Sequence, residues 1–248
     1  TMFGLGEYEH WYQQSIYFVL GALWYDTTSI LFYLLKQTQA VQDNLAQSFQ
    51  ALAQVLEKKA KLFDPDNTHN VEQLLYNLSL ENSLVVQHLN TTKASLLTRL
   101  KASRANRNTI YWLNLYFLAQ DIHEQATSNY LHYENIHQNF SRTDLIYRIQ
   151  KNIRLQARHC EQLAQCIIQR QSFQVHPDHE MILNNLENSL QEWIEQNPQN
   201  LEVKNLLLVF NNLRNVQAQF KNLSIEQESY QQSYTRHQDN LNLLDNDI

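Results

Sequence analysis

No glycine follows Gly21 in this sequence, and the other two glycines are Gly4 and Gly6. Turns of types II, I′ and II′ place residues at positive φ, which glycine adopts at the lowest cost. A β-sandwich, a β-barrel or a doubly wound sheet needs many such turns, and the Gly-rich loops that bind phosphate need the glycines themselves. The sequence therefore excludes those loops and predicts an all-α protein with long helices.

The remaining composition agrees with long helices. Only Pro65, Pro177 and Pro198 can interrupt them. Charged residues make up 18% of the chain, below the usual share of about 25%, and 26 Asn and 29 Gln take their place. Because these amides occur within apolar-periodic stretches and form no long tracts, we interpret them as solvated helix faces.

Net charge and cysteine content limit the partners and the compartment. The net charge is −6, which argues against a nucleic-acid partner. Cys160 and Cys166 would lie about 9 Å apart along a helix and on diverging faces, so they cannot bridge each other. The absence of a disulfide framework fits a reducing compartment. No basic residue precedes Trp11 and the apolar run after it is too long, so we expect no cleavable signal peptide.

The most apolar segment runs from Ser15 to Leu35 and reads SIYFVLGALWYDTTSILFYLL. As a helix it would be about 31 Å long, enough to cross a bilayer core of roughly 30 Å. It predicts one transmembrane helix; the alternative is a buried helix of a soluble bundle. Asp26, near its middle, is a candidate proton or cation site, or else an edge residue that meets water or a polar neighbour. Lys36 follows the segment, so the positive-inside rule places the downstream domain in the cytoplasm.

Apolar residues downstream recur at helical spacing, from Val41 through Leu45, Phe49 and Leu52. Nothing before Val41 breaks a helix, so the spanning helix should continue to a stop at Asp64-Pro65. We expect further helices at about 71–101, 109–140, 142–171, 179–196 and 201–223. The expected organisation begins with a membrane-spanning helix in residues 1–36. This helix continues into a soluble bundle of about five or six long antiparallel helices in residues 37–223. A polar tail or linker in residues 224–248 follows the bundle.

Several stretches together resemble a known family. They are GALWYDTTSILFYLL with VQDNLAQSFQALAQVLEKKAKLFDPD, then LNTTKASLLTRLKASRANRNT, YFLAQDIHEQATSNYLHYE and DLIYRIQKNIRLQARHCEQLA. They resemble the YccS/YhfK type of bacterial inner-membrane protein in the fusaric-acid-resistance (FUSC) superfamily, from about Trp11 to about Gln171. The resemblance implies the last helix of a first membrane set plus a cytoplasmic middle domain. It implies as partners the lipid bilayer and the remaining membrane helices of the same protein, and it implies a link to export of aromatic or organic acids.

Two basic stretches are the candidate anion sites. Three interpretations are open for them: docking on anionic lipid headgroups, an anionic ligand held between helices, or ordinary solvated faces paired with the surplus acids. The second stretch has helical spacing and should face away from Ile146, Ile149 and Ile153. The candidates are Lys93, Arg99, Lys101, Arg104 and Arg107 in the first stretch, and Arg148, Lys151, Arg154 and Arg158 in the second.

The string Asp121-Ile122-His123-Glu124 invites a metal interpretation that helical geometry opposes. At about 100° per residue, His123 projects away from Asp121, so one helix cannot bring the three ligands to one ion. We expect Ile122 on the opposite, apolar face, Asp121 and Glu124 as a solvated or capping pair, and His123 as a boundary histidine. Glu-x-x-His occurs at Glu7/His10 and Glu134/His137, about as often as chance predicts. No metal site and no other cofactor is therefore expected.

No catalytic motif supports an enzyme, and a metal-bundle enzyme, a third hypothesis, would need bound iron or zinc. Two other functions stay open. The first is a non-catalytic cytoplasmic domain of an exporter, acting in assembly, gating or substrate delivery. The second is a membrane-anchored helical scaffold or interaction module unrelated to transport. Long amphipathic helices also make a homo-oligomer plausible.

Overall fold

The computed structural model describes residues 12–66, 70–102, 107–128, 133, 139–140, 143–200 and 202–245, and covers no side chains for residues 13–14, 32–38, 101–102, 107–108 and 228–245. These described residues form helices and no strand, which confirms the all-α class. Their six bounded helices are α1 (Gln13–Lys61), α2 (Val71–Ala102), α3 (Arg107–Thr127), α4 (Asp144–Gln169), α5 (His179–Gln196) and α6 (Val203–Asp245).

Helix α1 ends where the sequence predicts. It continues without a break from the apolar segment to Lys61. The backbone N–H of Asp66 then donates to Asp64 Oδ1 at 3.2 Å, which closes a turn around Pro65. Such an Asx turn gives the chain a local alternative to further helix, and proline cannot continue one.

Helix α3 is shorter than predicted, since it ends at Thr127 and not near Phe140. Polar groups of the chain itself satisfy its last carbonyls. Thr127 Oγ1 donates to His123 O at 2.9 Å, and the Ser128 N–H donates to Glu124 O at 2.8 Å. No glycine or proline marks this end, so apolar periodicity could not locate it.

Helix α6 is longer than predicted. We expected an end near Leu223, but the helix continues to Asp245. The sequence after Leu223 becomes polar and contains neither glycine nor proline. Polarity alone does not stop a helix, whereas those two residues do.

The absence of glycine has a visible consequence at the end of α4. Arg170 adopts the left-handed conformation with φ 56°, a position that glycine usually occupies. The Gln171 N–H donates to Cys166 O at 3.0 Å and so closes the helix end. Within the described residues Arg170 is the only non-glycine residue at positive φ, and it costs about 1 kcal/mol.

Internal contacts divide the chain into residues 1–41 and residues 42–248. In the second unit, α4 packs against α5 and α6, α2 packs against α3, and α6 also contacts α3 and α5. The predicted apolar positions Leu45, Leu52 and Leu56 are buried, as are five phenylalanines, Phe49, Phe63, Phe140, Phe173 and Phe220. Cys160 and Cys166 are free thiols, as expected for diverging faces.

The first unit exposes its apolar side chains. From Ile16 to Leu31 the large apolar residues are exposed, with Phe18 at 75% and Trp24 at 74%. Among the side chains that the structure describes, no helix combines the length and the hydropathy needed to cross a membrane. The side chains of Phe32 to Leu35, at the end of the predicted span, lie outside those described.

Candidate functional site

Helix α4 carries the second predicted basic stretch on its outer side. Lys151 and Arg158 are exposed, and Arg148 and Arg154 are partly exposed. The predicted inner side is buried at Ile146, Ile149, Ile153 and Cys160. Helical periodicity thus separates the basic side chains of α4 from its core side.

Two of these four cations have carboxylate partners. Arg148 Nε lies 2.5 Å from Asp144 Oδ2, which also accepts a hydrogen bond from Ser189 Oγ at 3.1 Å. The hydrogen bond from Arg148 lowers the pKa of the Asp144 carboxyl, so both partners are charged at neutral pH. Arg154 Nε lies 3.9 Å from Glu57 Oε2. Exposed pairs of this kind add at most about 1 kcal/mol, but they reduce the positive charge of the face.

An open cavity lies between the first turns of α4 and of α5. Its volume is about 150 Å³, and its lining residues are Asp144, Tyr147, Arg148, Lys151, Ile182 and Asn185. Lys151 has no ion pair within the described part of the chain. With Arg148 and Asp144 offsetting each other, the cavity carries one net positive charge beside an amide and a phenol. These groups can hold a small anion.

The comparison with known proteins decides the family. A sequence model described as "FUSC-like inner membrane protein yccS" matches residues 1–220. The chain belongs to this FUSC-like family. It is 39% identical to "Inner membrane protein YccS" of Escherichia coli (strain K12) over 227 residues, which cover 92% of this chain and 32% of that protein.

A second relative of this FUSC-like chain is an "Uncharacterized protein" of Haemophilus influenzae, 32% identical over 163 residues, which cover 66% of this chain and 23% of that protein. The chain thus spans about a third or less of the length of these two curated relatives. No solved structure matches the chain significantly.

The first basic stretch of the FUSC-like chain is only partly visible. Lys93 is exposed on α2 and Arg99 is partly exposed. Arg104 and the side chains of Lys101 and Arg107 lie outside the described residues. Asp26 is exposed on α1. The structure therefore supports a site geometry only for the α4 stretch.

Residues 121–124 of α3 lie on different faces of the helix, as helical periodicity predicts. Ile122 is fully buried, and Asp121 and Glu124 are exposed. His123 Nε2 pairs with Asn82 Oδ1 at 2.7 Å, and partial burial lowers the pKa of this histidine. Among the described residues no three potential ligands surround one point. Both Glu-x-x-His motifs, Glu7/His10 and Glu134/His137, lie outside those residues.

The interpretation of the amides as solvated faces is wrong for part of the chain. Five are buried: Gln42, Gln150, Asn152, Gln156 and Gln217. Gln156 Nε2 donates to Leu213 O at 2.8 Å, and Asn152 Nδ2 donates to Ile182 O at 3.3 Å. These bonds tie α4 to α6 and to α5. The available signal was position, because Asn152 and Gln156 lie one turn apart within an apolar stripe.

Sequence reasoning also missed a buried histidine. His159 is 1% exposed, and its ring centroid lies 5.9 Å from that of Phe173 and 5.2 Å from that of Phe220. We call these three residues the aromatic cluster. His159 Nε2 accepts the His176 N–H at 3.1 Å. Burial, together with the nearby His179 and His176, lowers the pKa of His159 to about 4. The imidazole is therefore neutral at pH 7 and can serve as this acceptor.

Proposed function

We propose that this FUSC-like chain is the last helix of a first membrane set together with the cytoplasmic helical domain of an inner-membrane exporter of aromatic or organic acids. The domain catalyses no reaction and acts in assembly, gating or substrate delivery. The observation that carries this proposal is the exposure of apolar side chains around α1 between Ile16 and Leu31.

Exposure on every side of α1 favours a membrane environment. Ile16, Tyr17, Phe18, Val19 and Leu20 are consecutive and all exposed. At about 100° per residue they point in all directions around the helix axis, so no single partner face could cover them. Hydrocarbon, or a ring of other membrane helices, could cover them all. The family relatives are about three times as long as the matched region or more, which leaves room for such helices.

The polar side chains of the span suit this environment. Thr27 Oγ1 donates to Leu23 O at 2.7 Å and Thr28 Oγ1 donates to Trp24 O at 2.9 Å, so both hydroxyls are satisfied within their own helix. Asp26 is the only charged residue between Ser15 and Leu35. A charge at that depth favours a polar cavity or a neighbouring helix over lipid, and we propose that Asp26 faces such a partner.

Thiol labelling in membranes tests the span and its orientation. The full-length protein would carry alanine at Cys160 and Cys166 and one new cysteine, from Trp24→Cys or from Lys93→Cys. In opened membranes, the Trp24→Cys thiol should react with a membrane-impermeant maleimide at least about tenfold more slowly than the Lys93→Cys thiol. Hydrocarbon around residue 24 suppresses formation of the thiolate, which is the form that reacts. Lys93→Cys should react only after the inner membrane is opened.

The outcomes against the proposal are distinct. Equal labelling rates for the two thiols after the inner membrane has been opened would show that Trp24 is not in hydrocarbon. Labelling of Lys93→Cys from the outer face would place the domain on the wrong side. Gln47→Cys, exposed on α1 beyond the span, is the matched control on the same helix and should behave like Lys93→Cys.

We further propose that the basic residues of α4 bind a small anion between α4 and α5. We favour this role over docking of the α4 face on lipid headgroups. Arg148 and Lys151 line the cavity, whereas Arg154 pairs with Glu57. A surface that docks on headgroups depends on uncompensated cations, each worth about 1 kcal/mol. The face offers few of these.

Binding of acetate to the full chain in detergent distinguishes the two modes. Lys151→Gln should weaken acetate binding about fivefold, since it removes one charge-assisted contact of about 1 kcal/mol. Arg158→Gln is the matched control, because Arg158 belongs to the same face but does not line the cavity. Equal losses in both variants, accompanied by binding to vesicles rich in phosphatidylglycerol, would favour the lipid surface.

One observation favours the scaffold as a second function. Tyr76, Leu80 and Leu84 are exposed at successive turns of α2 and form an outward apolar stripe that a partner helix could cover. Efflux of labelled benzoate from cells separates the functions. An exporter requires faster efflux with the full-length protein than without it, and a scaffold predicts equal efflux.

A further inference from the structure

Lys59 is a buried lysine near the end of α1. Its exposed fraction is 6%, which is rare for a residue whose charge normally stays in water. Its Nζ donates a hydrogen bond to the carbonyl oxygen of Ala126, in the last turn of α3. The unpaired carbonyls and the dipole of a helix C-terminus favour a cation there, so Lys59 caps α3.

The surroundings of Lys59 provide little else for an ammonium group. A cavity of about 20 Å³ adjoins it, which is room for about one water molecule. The polar lining consists of Gln125, Gln156 and Asn212; the other lining residues are Leu56, Ile122, Ala126, Ile153, Val209, Leu213 and Val216. None of these described residues is charged, so the site offers no counter-charge.

Charged groups on the surrounding helices are engaged elsewhere or exposed. On α1, Glu57 pairs with Arg154 of α4 and Lys58 pairs with Glu81. On α3, His123 bonds to Asn82 and Glu124 is exposed. On α6, Arg214 is exposed and bonds to Asn211.

Burial and the helix end oppose each other at this nitrogen. Loss of hydration disfavours the ammonium form, and the Ala126 carbonyl favours it. Burial dominates and lowers the pKa of Lys59 to about 8. A protonated lysine here needs three acceptors, whereas a neutral amine is satisfied by fewer.

We propose that Lys59 is a proton-binding site of this domain and that its charge state sets how tightly α1 packs against the end of α3. The protonated form loosens the junction, because the Ala126 carbonyl is a single acceptor for an ammonium group that has three N–H donors. The neutral form packs tightly. The inference rests on residues 42–248 and is independent of the proposed membrane span and transport.

Nuclear magnetic resonance of the full chain in detergent, labelled at lysine ε carbons, tests proton binding directly. The chain has nine lysines. One signal should titrate with a midpoint near pH 8, and it should be missing in Lys59→Met and in Lys59→Arg. If no signal has a midpoint below about pH 9, the proposal is overturned, whatever the variants do.

Hydrogen exchange of the last turn of α3 tests the effect on packing. For a base whose folded-state pKa is lowered, stability rises as the pH passes its folded pKa. Protection of the 122–128 amides, corrected for intrinsic rates, should therefore be about tenfold higher at pH 9 than at pH 7. Lys59→Met should show no such rise, and Lys58→Met, the neighbouring control, should match the wild type. Equal protection at both pH values in the wild type would contradict the proposal.

Discussion

Lowering the pH from 7 to 4 should reduce the free energy of unfolding by about 3 kcal/mol through His159 alone. Burial lowers the pKa of this imidazole from 6.5 to about 4 in the folded chain. The stability that the neutral form contributes is complete above pH 6.5. This stability is lost as the pH falls towards 4, because His159 becomes protonated in the unfolded chain while it stays neutral in the folded chain.

The measurement is denaturant unfolding of the full chain in mild detergent at a series of pH values. Carboxylates also titrate in this range, so the difference between wild type and His159→Gln isolates the histidine. Glutamine retains an acceptor near the position of Nε2 for the His176 N–H and does not titrate. His88→Gln, on α2 and outside the aromatic cluster, is the control and should keep the wild-type pH dependence. If the free energy of unfolding changes equally with pH in wild type and in His159→Gln, His159 does not have the lowered pKa.

The second large effect is expected from Phe220→Ala, which should destabilise the chain by about 3–5 kcal/mol. Phe220 is fully buried, and its ring centroid lies 5.8 Å from that of Phe173. Removal of the ring leaves a cavity where α6 meets α4 and the segment after it. In that segment the Phe173 N–H also donates to Gln227 Oε1 of α6, at 2.5 Å.

The control for this substitution is Phe117→Ala on α3, where the side chain is 51% exposed. It deletes the same atoms from a mostly solvated site, so it should cost less than about 1 kcal/mol. Unfolding midpoints in guanidinium chloride, measured with both variants in the same detergent, compare the two. Similar losses would mean that the aromatic cluster is not a core element.

Local sequence signals located some helix ends and missed others. Pro65 and Pro198 follow the ends of α1 and α5, and Pro177 precedes α5, so those ends matched. The ends of α3 and α6 did not match, because there the backbone leaves or continues the helix without a glycine or proline. At such places the end depends on which side chains satisfy the last carbonyls.

The candidate site could be predicted only in part. The periodicity of α4 correctly put Lys151 and Arg158 on the outer side. It could not reveal that Arg148 and Arg154 have carboxylate partners, since Glu57 lies on another helix. Whether a cation is free depends on which helices meet.

The sequence by itself determined the helical class, the amphipathic faces and the family, because the lack of glycine, the apolar spacing and the family strings are all properties of the chain read in order. Only the tertiary structure decided which polar groups lie inside. Lys59 meets Ala126, and Gln156 meets Leu213 57 residues away. A lysine or an amide has the same appearance in sequence on a solvated face and in a core. The charge state of such a side chain, and the free energy that its burial costs, depend on the hydrogen-bond acceptors that distant helices bring to it.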